Sequence, residues 1–226
     1  MERKTVKLKG FDVDTFNFER ALEYANFISG QVVTINPEMI AYAQKNPEFA
    51  RILHEAELVI PDGIGIQIGL KILGHKVRRI AGIEFARVML DRVESAALVG
   101  ARPDVVEEVV KNLTNVIYWH DGYFTDDETI YTELIENQPR LLLAALGSPR
   151  QEEFIYKAKK ILPNTLMIGV GGSFDVWAGK VKRAPVIFQK LGLEWLYRTL
   201  KEPKRIKRIF PTLPLFILSV MMKKGE

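Results

Sequence analysis

Short runs of apolar residues recur along the chain, separated by longer segments whose apolar positions follow helical spacing. The runs contain few polar residues, which is typical of buried parallel strands rather than half-exposed ones. The predicted strands are Gln31–Ile35, Leu58–Pro61, Ala96–Val99, Val116–Trp119, Leu141–Leu146 and Leu166–Val170. The segments between them predict helices, as in 103–113, where valines recur on one face. This alternation indicates an α/β fold, with a mostly parallel sheet covered by helices on both faces.

The chain begins with two short extended segments, Thr5–Leu8 and Phe11–Val13, and then a predicted helix that ends near Ser29. Asp14 or Thr15 is the predicted cap of this helix, because both side chains accept hydrogen bonds from a first turn. Asp12 and Asp14 also form a D-x-D sequence, which many glycosyltransferases use to hold a divalent metal. Three residues of this form occur often by chance, so we favour the capping interpretation.

Polar and glycine residues follow the carboxyl ends of the predicted strands. They are Thr34 and Asn36, Asp62 and Gly63, Tyr123, Gln151, and the group Gly171, Gly172, Ser173 and Asp175. The carboxyl ends of parallel strands meet at one edge of a sheet, where open α/β folds bind ligands, so we expect one cleft there. Glycines let backbone N–H groups approach a phosphate or sugar closely. The spacing G-x-G-x-x-G of dinucleotide-binding proteins is missing, which disfavours a nicotinamide oxidoreductase.

Two charged motifs in this set have both a chemical and a structural interpretation. Asp62 can act as a general base if burial tunes its pKa, although Pro-Asp-Gly is also a common turn sequence. Arg78 or Arg79 can balance the charge of a phosphate, and both can equally be solvated surface residues. Tyr123 can stack on a nucleobase or pack within its loop.

The composition excludes some kinds of functional site and disfavours others. The chain of 226 residues has no cysteine, which excludes disulfides and thiolate chemistry, and its three histidines are scattered singly, which disfavours a histidine zinc site. The N-terminus has no apolar signal segment, so we expect a cytoplasmic protein. Eight basic and two acidic residues lie between Arg198 and Glu226, whereas the whole chain has a net charge of +4. The basic character is therefore a local feature of the C-terminus, which favours an anionic partner.

The C-terminal segment combines these basic residues with the apolar run Leu213–Met222, about half the ~20 residues that span a bilayer. This pattern predicts a core of residues 1–191 and an appendage of residues 192–226 that lies in the plane of an anionic membrane. Docking on the core or on another subunit is the alternative, which leaves a homo-oligomer open. Nucleic-acid binding is disfavoured because no groove-reading motif is present. Pro211 and Pro214 argue against one straight helix through the tail.

The order of the motifs resembles the WecG/TagA/CpsF-type bacterial glycosyltransferases over nearly the whole chain. The matching motifs are Thr34-x-Asn36-x-Glu38, Pro61-Asp62-Gly63-x-Gly65, Arg79-x-Ala81-Gly82, Gly122-Tyr123-Phe124, Gly147-Ser148-Pro149-x-Gln151-Glu152, the segment from Gly169 to Asp175, Gly179-Lys180, Lys182-Arg183-Ala184-Pro185, the segment from Leu191 to Arg198, and Glu202-Pro203. Members of the family often have Glu before the arginine of the R-x-A-G motif, whereas this chain has Arg78.

The resemblance implies an inverting, metal-independent and non-processive enzyme with a Rossmann-like core and no cofactor. It implies transfer of N-acetylmannosamine from UDP to the 4-hydroxyl of N-acetylglucosaminyl-diphospho-undecaprenol, as in wall teichoic acid linkage-unit synthesis for the cell wall, by a peripheral protein on the inner face of the cell membrane. Other UDP-sugar donors (N-acetylmannosaminuronate, glucose or galactose) stay open, as does a non-catalytic nucleotide-binding protein at the membrane.

The resemblance also implies roles for individual residues. Asp62 is the candidate base, and Thr34 and Asn36 would orient a sugar. Arg79 and Gln151 would hold the diphosphate, while Tyr123 and Asp175 would meet the uridine. The remaining expected substrate-binding residues are Gly63, Gly171, Gly172, Ser173, Arg183 and the tail residues Arg198, Arg205 and Arg208.

Overall fold

A six-stranded parallel sheet forms the middle layer of the protein. The computed structural model describes residues 2–190, 194, 196, 197 and 206–223. The strands are β1 (Thr5–Leu8), β2 (Phe11–Asp14), β3 (Gly30–Ile35), β4 (Leu58–Pro61), β5 (Ala96–Gly100), β6 (Val116–His120), β7 (Leu141–Ala145) and β8 (Leu166–Gly169). The order in the large sheet is β4-β3-β8-β7-β5-β6, and every neighbouring pair in it is parallel. The expected α/β class is confirmed.

Helices cover both faces of this sheet. They are α1 (Phe18–Asn26), α2 (Pro37–Ala43), α3 (Pro47–His54), α4 (Ile64–Ile72), α5 (Gly82–Arg92), α6 (Pro103–Val110), α7 (Asp127–Asn137), α8 (Arg150–Ala158), α9 (Ser173–Trp177), α10 (Val186–Lys190) and α11 (Ile206–Lys223). One core packs α1, α5, α6 and α9 against one face of the sheet. On the other face, α2, α3, α4 and α11 pack at the β3–β4 end, and α7 and α8 pack at the β5–β7 end.

Successive residues of β3, β4, β5, β7 and β8 alternate between these cores, which is why these strands are apolar on both faces. The edge strand β6 is the exception, because Ile117 and Trp119 are 45% and 41% exposed, so the expectation that this run is a fully buried strand is wrong. Val32 joins the first core and Val33 the second, and the same alternation holds for Leu98 and Val99 in β5. Burial on both faces requires an apolar residue at nearly every position. The continuous apolar runs therefore predicted the strands to within one residue at each end.

The N-terminal hairpin β1–β2 is attached to the sheet through Asp14, which is fully buried. The Asp14 carboxylate accepts from Arg3 Nε (2.8 Å) and Nη2 (2.9 Å), and also from the N–H of Val59 in β4 (2.7 Å). The helix cap is Asn17, whose side chain accepts from the N–H of Arg20. The prediction that Asp14 or Thr15 caps this helix is therefore wrong, because Asp14 is the last residue of β2 and has a tertiary ion-pair partner.

The C-terminal helix α11 is packed against the second core. Phe216 and Val220 are buried there among residues of the hairpin, α2 and α4. A methyl group added at Gly65 would lie 2.6 Å from Leu213 Cδ1, and one at Gly69 would lie 3.2 Å from Phe216 Cε1. Two glycines one turn apart on α4 therefore let α11 approach closely.

The helix α11 passes through both Pro211 and Pro214, so neither proline ends it. The prediction that no single straight helix runs through the whole tail stays a prediction, because much of the tail lies outside the described residues. Each proline removes one hydrogen bond of the helix, and burial of apolar side chains on the core side offsets that loss. Among the described residues, no helix combines the length and apolar character needed to cross a bilayer.

Candidate active site

Asp62 follows the edge strand β4 and lies beside Thr34 of the neighbouring strand β3. Its N–H donates to the carbonyl of Ile35 (3.0 Å), and its Oδ1 accepts from the N–H of Gly63 (2.7 Å). Gly63 has a φ of 80°, which L side chains rarely adopt, so this turn into α4 requires glycine. A methyl group added at Gly82 would lie 2.8 Å from Thr34 Cγ2 and 3.4 Å from Asp62 Oδ2. Thr34, Asp62 and Gly82 thus meet at one point.

The environment of Asp62 makes it a stronger base than an ordinary aspartate. Its side chain keeps a partly exposed surface, yet protein surrounds most of the carboxylate, and this burial raises its pKa to about 6. The Arg79 cation and the N–H groups of Gly63 and Gly82 lower the pKa, whereas the carboxylate of Glu194 raises it. At pH 7 such a group is mostly ionised and can still accept a proton.

Of the two adjacent arginines, Arg79 is the one that faces Asp62. Arg78 is exposed, whereas the side chain of Arg79 is only 18% exposed and lies close enough to influence the charge of Asp62. Arg79 rather than Arg78 is therefore the arginine near the candidate base, and its contact with the diphosphate stays a prediction.

Arg79 belongs to a chain of ion pairs that the sequence did not reveal. Its Nη2 donates to the carbonyl of Gln189 (2.6 Å), and both Nη atoms lie 3.4 Å from Glu194 Oε2. The other carboxylate oxygen of Glu194 accepts from Arg183 Nε (3.1 Å), and Arg183 Nη2 donates to Glu84 Oε1 (2.8 Å). Arg183, expected as a substrate-binding residue, is thus connected to Arg79 through one carboxylate.

A separate cleft of about 530 Å³ lies over the carboxyl ends of β5, β6 and β7. It is lined by Ala101, Arg102, Gly122, Tyr123, Ala145, Leu146, Asp175, Lys180 and Val181. Two residues expected to meet the nucleoside, Tyr123 and Asp175, are therefore brought together, and the Tyr123 ring is largely exposed. Arg102 and Lys180 also line the cleft and both pair with Asp104 (3.4 and 3.2 Å). Neither Arg102 nor Lys180 was predicted as a site residue from the sequence, although Arg102 lies two residues after a glycine and Lys180 directly follows one.

The floor of this cleft depends on the close approach of two chain segments. Gly100, at the end of β5, has a φ of 126°, and a methyl group there would lie 2.5 Å from the carbonyl of Ala145. The N–H of Gly122 donates to the carbonyl of Ala101 (2.7 Å). Position 100 therefore requires glycine, because any side chain there would collide with the backbone of Ala145 beneath the cleft.

Gln151 lies beneath the glycine turn that follows β8, not on the cleft surface. It is buried, its Oε1 accepts from the N–H of Gly171 (2.9 Å), and its Nε2 donates to Glu152 Oε1 (2.7 Å). Ser173 is also buried, and its hydroxyl donates to the carbonyl of Val170 (2.6 Å). In this structure both side chains support the turn, and their contacts with substrate stay predictions. Gly171 itself has a φ of 50°.

Asn36 caps α2, because its Oδ1 accepts from the N–H of Met39 (3.0 Å). Of the three tail arginines, Arg198 and Arg205 lie outside the described residues, and only the backbone of Arg208 is described, within α11. The roles of these four residues toward a sugar or a phosphate stay predictions.

Asp12 and Asp14 lie away from the strand ends. The Asp12 carboxylate pairs with Lys7 Nζ (2.9 Å) and lines a smaller cavity of about 220 Å³ beside the hairpin, whereas Asp14 is paired with Arg3. Within the described part of the chain, no three His, Cys, Asp or Glu residues are grouped so that they could hold a metal ion. The pairing with Lys7 and Arg3 explains both aspartates without a metal.

Comparison with known proteins agrees with the motifs. A protein of Bacillus spizizenii named N-acetylglucosaminyldiphosphoundecaprenol N-acetyl-beta-D-mannosaminyltransferase is 33% identical over an alignment of 201 residues, and the match covers 84% of this chain and 78% of that relative. The sequence model of the Glycosyl transferase WecG/TagA/CpsF family matches residues 6–226. The chain therefore belongs to the WecG/TagA/CpsF family of glycosyltransferases.

Proposed function

We propose that this protein transfers N-acetylmannosamine from UDP to the 4-hydroxyl of N-acetylglucosaminyl-diphospho-undecaprenol, with inversion at the anomeric carbon. The family and the name of the Bacillus relative support the class of donor and acceptor. The observation that carries the mechanism is the partly accessible carboxylate of Asp62, whose pKa is raised to about 6 beside the cation of Arg79.

In this mechanism Asp62 takes the proton of the acceptor hydroxyl as its oxygen attacks the anomeric carbon. The new carbon–oxygen bond forms as the bond between the sugar and the β-phosphate breaks, and UDP leaves with the bonding electrons. One base and one displacement give inversion. The negative charge that develops on the β-phosphate requires a fixed cation, and Arg79 is the candidate.

The donor nucleotide would occupy the cleft over β5, β6 and β7. The exposed ring of Tyr123 offers a face for the base, and the carboxylate of Asp175 can accept hydrogen bonds from ribose hydroxyls. Gly171 and Gly172 lie between this cleft and Asp62, where the absence of side chains lets a diphosphate approach the backbone.

The acceptor is a lipid, and the exposed side of α11 supports attachment to a membrane surface. Leu215, Leu218, Met221 and Met222 are more than half exposed on this helix, opposite the buried Phe216 and Val220. An apolar strip flanked by basic residues is typical of helices that lie in a membrane interface. We therefore propose a peripheral protein on the inner face of the cell membrane, with residues 192–226 as the membrane-binding appendage.

The same helix supports a contribution of the tail to the site. Leu213 lies against Gly65 and Phe216 against Gly69, so α11 runs in the same direction as α4. The backbone ahead of Leu213 therefore continues past the start of α4, toward Asp62. Arg208 precedes Leu213 by about 7.5 Å along this helix, on the side of Asp62, and we propose that it adds a positive charge near the diphosphate.

The test is the release of UDP from UDP-N-acetylmannosamine, with and without a short-chain N-acetylglucosaminyl-diphospholipid. We expect acceptor-dependent turnover that persists in EDTA, because arginines neutralise the leaving group. Asp62→Asn should reduce turnover by about 10²–10⁴-fold, the usual contribution of a general base. Asp91→Asn, which removes a surface aspartate paired with Arg87, is the matched control.

UDP release without acceptor dependence, or full activity of Asp62→Asn, would refute the mechanism. Loss of activity in EDTA that Mg²⁺ or Mn²⁺ restores would refute metal independence. Turnover with another UDP-sugar only would change the donor and keep the roles of the residues.

Membrane attachment is tested by liposome pelleting of wild type and the double variant Leu215→Ser with Leu218→Ser. Because α11 contributes to the core, this variant is a better test than removal of the tail.

A further inference from the structure

The carboxylate of Glu194 lies between two arginines that come from different parts of the chain. Oε2 faces Arg79, which precedes α5, and Oε1 faces Arg183, which precedes α10. The Glu194 side chain is only 15% exposed. A carboxylate that is withdrawn from water in this way is stable only while its cations stay in place.

Arg79 is oriented almost entirely by the segment that follows α9. Its Nη2 donates to the carbonyl of Gln189 (2.6 Å), and both Nη atoms face Glu194. The guanidinium is planar, so contacts at the Nη atoms fix the direction in which its charge is presented. Glu194 and Gln189 together therefore determine where the Arg79 cation lies relative to Asp62.

Charges of alternating sign run from Glu84 through Arg183, Glu194 and Arg79 to Asp62. Removal of Glu194 would leave the guanidinium groups of Arg79 and Arg183 as like-charged neighbours with no anion between them. Such neighbours repel each other, so Arg79 would lose its fixed position.

We propose that Glu194 is a positioning residue for the transfer step, whose carboxylate holds the Arg79 cation beside Asp62 and links the C-terminal segment to the reacting centre. This inference rests on the proposed function for its kinetic consequence, whereas the contact itself can be measured without turnover. A competing interpretation is that Glu194 occupies the place of the donor phosphate. That interpretation predicts tighter donor binding when the charge of Glu194 is removed.

The kinetic experiment compares wild type, Glu194→Gln, Arg79→Met and the double variant under the transfer assay. Because the charge on the leaving group develops in the transition state, Glu194→Gln should lower kcat about tenfold and change the KM for the UDP-sugar less than about threefold. In the Arg79→Met background the same substitution should have no further effect on kcat. Glu108→Gln, which removes an exposed carboxylate paired with Lys111, is the matched control.

Additive effects of the two substitutions, or an unchanged kcat in Glu194→Gln, would overturn the inference. A lower KM for the donor with an unchanged or higher kcat would favour the competing interpretation.

The contact between Glu194 and Arg79 can be tested independently of turnover. The test is whether rotation of the Arg79 guanidinium is restricted, measured by ¹⁵N NMR on wild type and Glu194→Gln. Free rotation only in the variant supports the inference, and identical spectra refute it. If wild type transfers no sugar from any UDP donor, the proposed function has failed, and the NMR result still decides whether Glu194 holds Arg79.

Discussion

Glu152 is a buried carboxyl group whose ionisation should make the stability of the protein depend on pH. The residue is 3% exposed, its Oε1 accepts from Gln151 Nε2 (2.7 Å), and its Oε2 has no hydrogen-bond partner within the described part of the chain. Burial raises its pKa from 4.5 to about 7, while hydrogen bonds from Gln151 and Ser148 oppose that shift. The folded protein therefore binds this proton more tightly than the unfolded chain does.

The sign and size of the effect follow from proton linkage. Stability from this group is fully present below about pH 4.5 and is lost as the pH rises to about 7, because the buried carboxyl group must then ionise. Each unit of pKa difference corresponds to about 1.4 kcal/mol, so the loss is on the order of 3 kcal/mol. In Glu152→Gln this loss should disappear. The raised pKa of Asp62 acts in the same direction, but it is present in both proteins and cancels in the comparison.

The assay is urea unfolding of wild type and Glu152→Gln at several pH values between about 5 and 8, followed by circular dichroism. The variant should approach wild type in free energy of unfolding near pH 5 and exceed it by about 3 kcal/mol near pH 8. Glu94→Gln, which removes an exposed carboxylate remote in sequence from Glu152, should follow wild type. A free-energy difference between Glu152→Gln and wild type that is independent of pH would refute the reasoning.

Two further predictions concern stability. Phe216→Ala should reduce the free energy of unfolding by about 3–5 kcal/mol in urea denaturation, because the ring fills the second core. Leu215→Ala, on the exposed side of α11, should change the free energy of unfolding by less than about 0.5 kcal/mol. Equal effects of the two substitutions would contradict the packing of α11 on the core. Asp14→Asn should cost about 1.5–3 kcal/mol in the same assay, because it weakens the charge-assisted hydrogen bonds with the partly exposed Arg3. Added divalent cations should not stabilise wild type through this residue.

The sequence predicted the strands well and the N-terminal helix start poorly, for related reasons. A strand that is buried on both faces requires apolar residues throughout, so its bounds are visible locally, and the prediction of Leu58–Pro61 matches β4 at both ends. The role of Asp14 depends on Arg3 and on the N–H of Val59, which lies 45 residues away. An aspartate can serve either as a helix cap or as an ion-pair partner, and only the fold distinguishes the two roles.

The sequence predicted which strand ends carry the candidate site residues, but not which of these residues lie next to each other in space. Thr34 and Asp62 are adjacent because β3 pairs with β4. The order of the strands along the chain does not predict that β8 lies between β3 and β7 in the sheet. Gln151 was expected on the cleft surface because it follows a strand, yet its side chain is directed beneath the turn at Gly171. Glu194 was missed because its contact with Arg79 spans 115 residues.

The position of the cleft proposed for the nucleotide follows from the faces on which the helices lie. After β5 the chain enters α6 on one face of the sheet, and after β7 it enters α8 on the other, so a crevice opens between these neighbouring strands. Such switch points are where open α/β sheets bind ligands. Strands lie about 4.8 Å apart, which places β4 and Asp62 about 14 Å from β7. The glycine turn after β8 lies between them, so a nucleotide in the crevice that reaches Asp62 with its sugar must pass its diphosphate over Gly171 and Gly172. The strand order thus gives the donor proposed here one direction in which to bind, with its base at Tyr123 and its anomeric carbon toward Asp62.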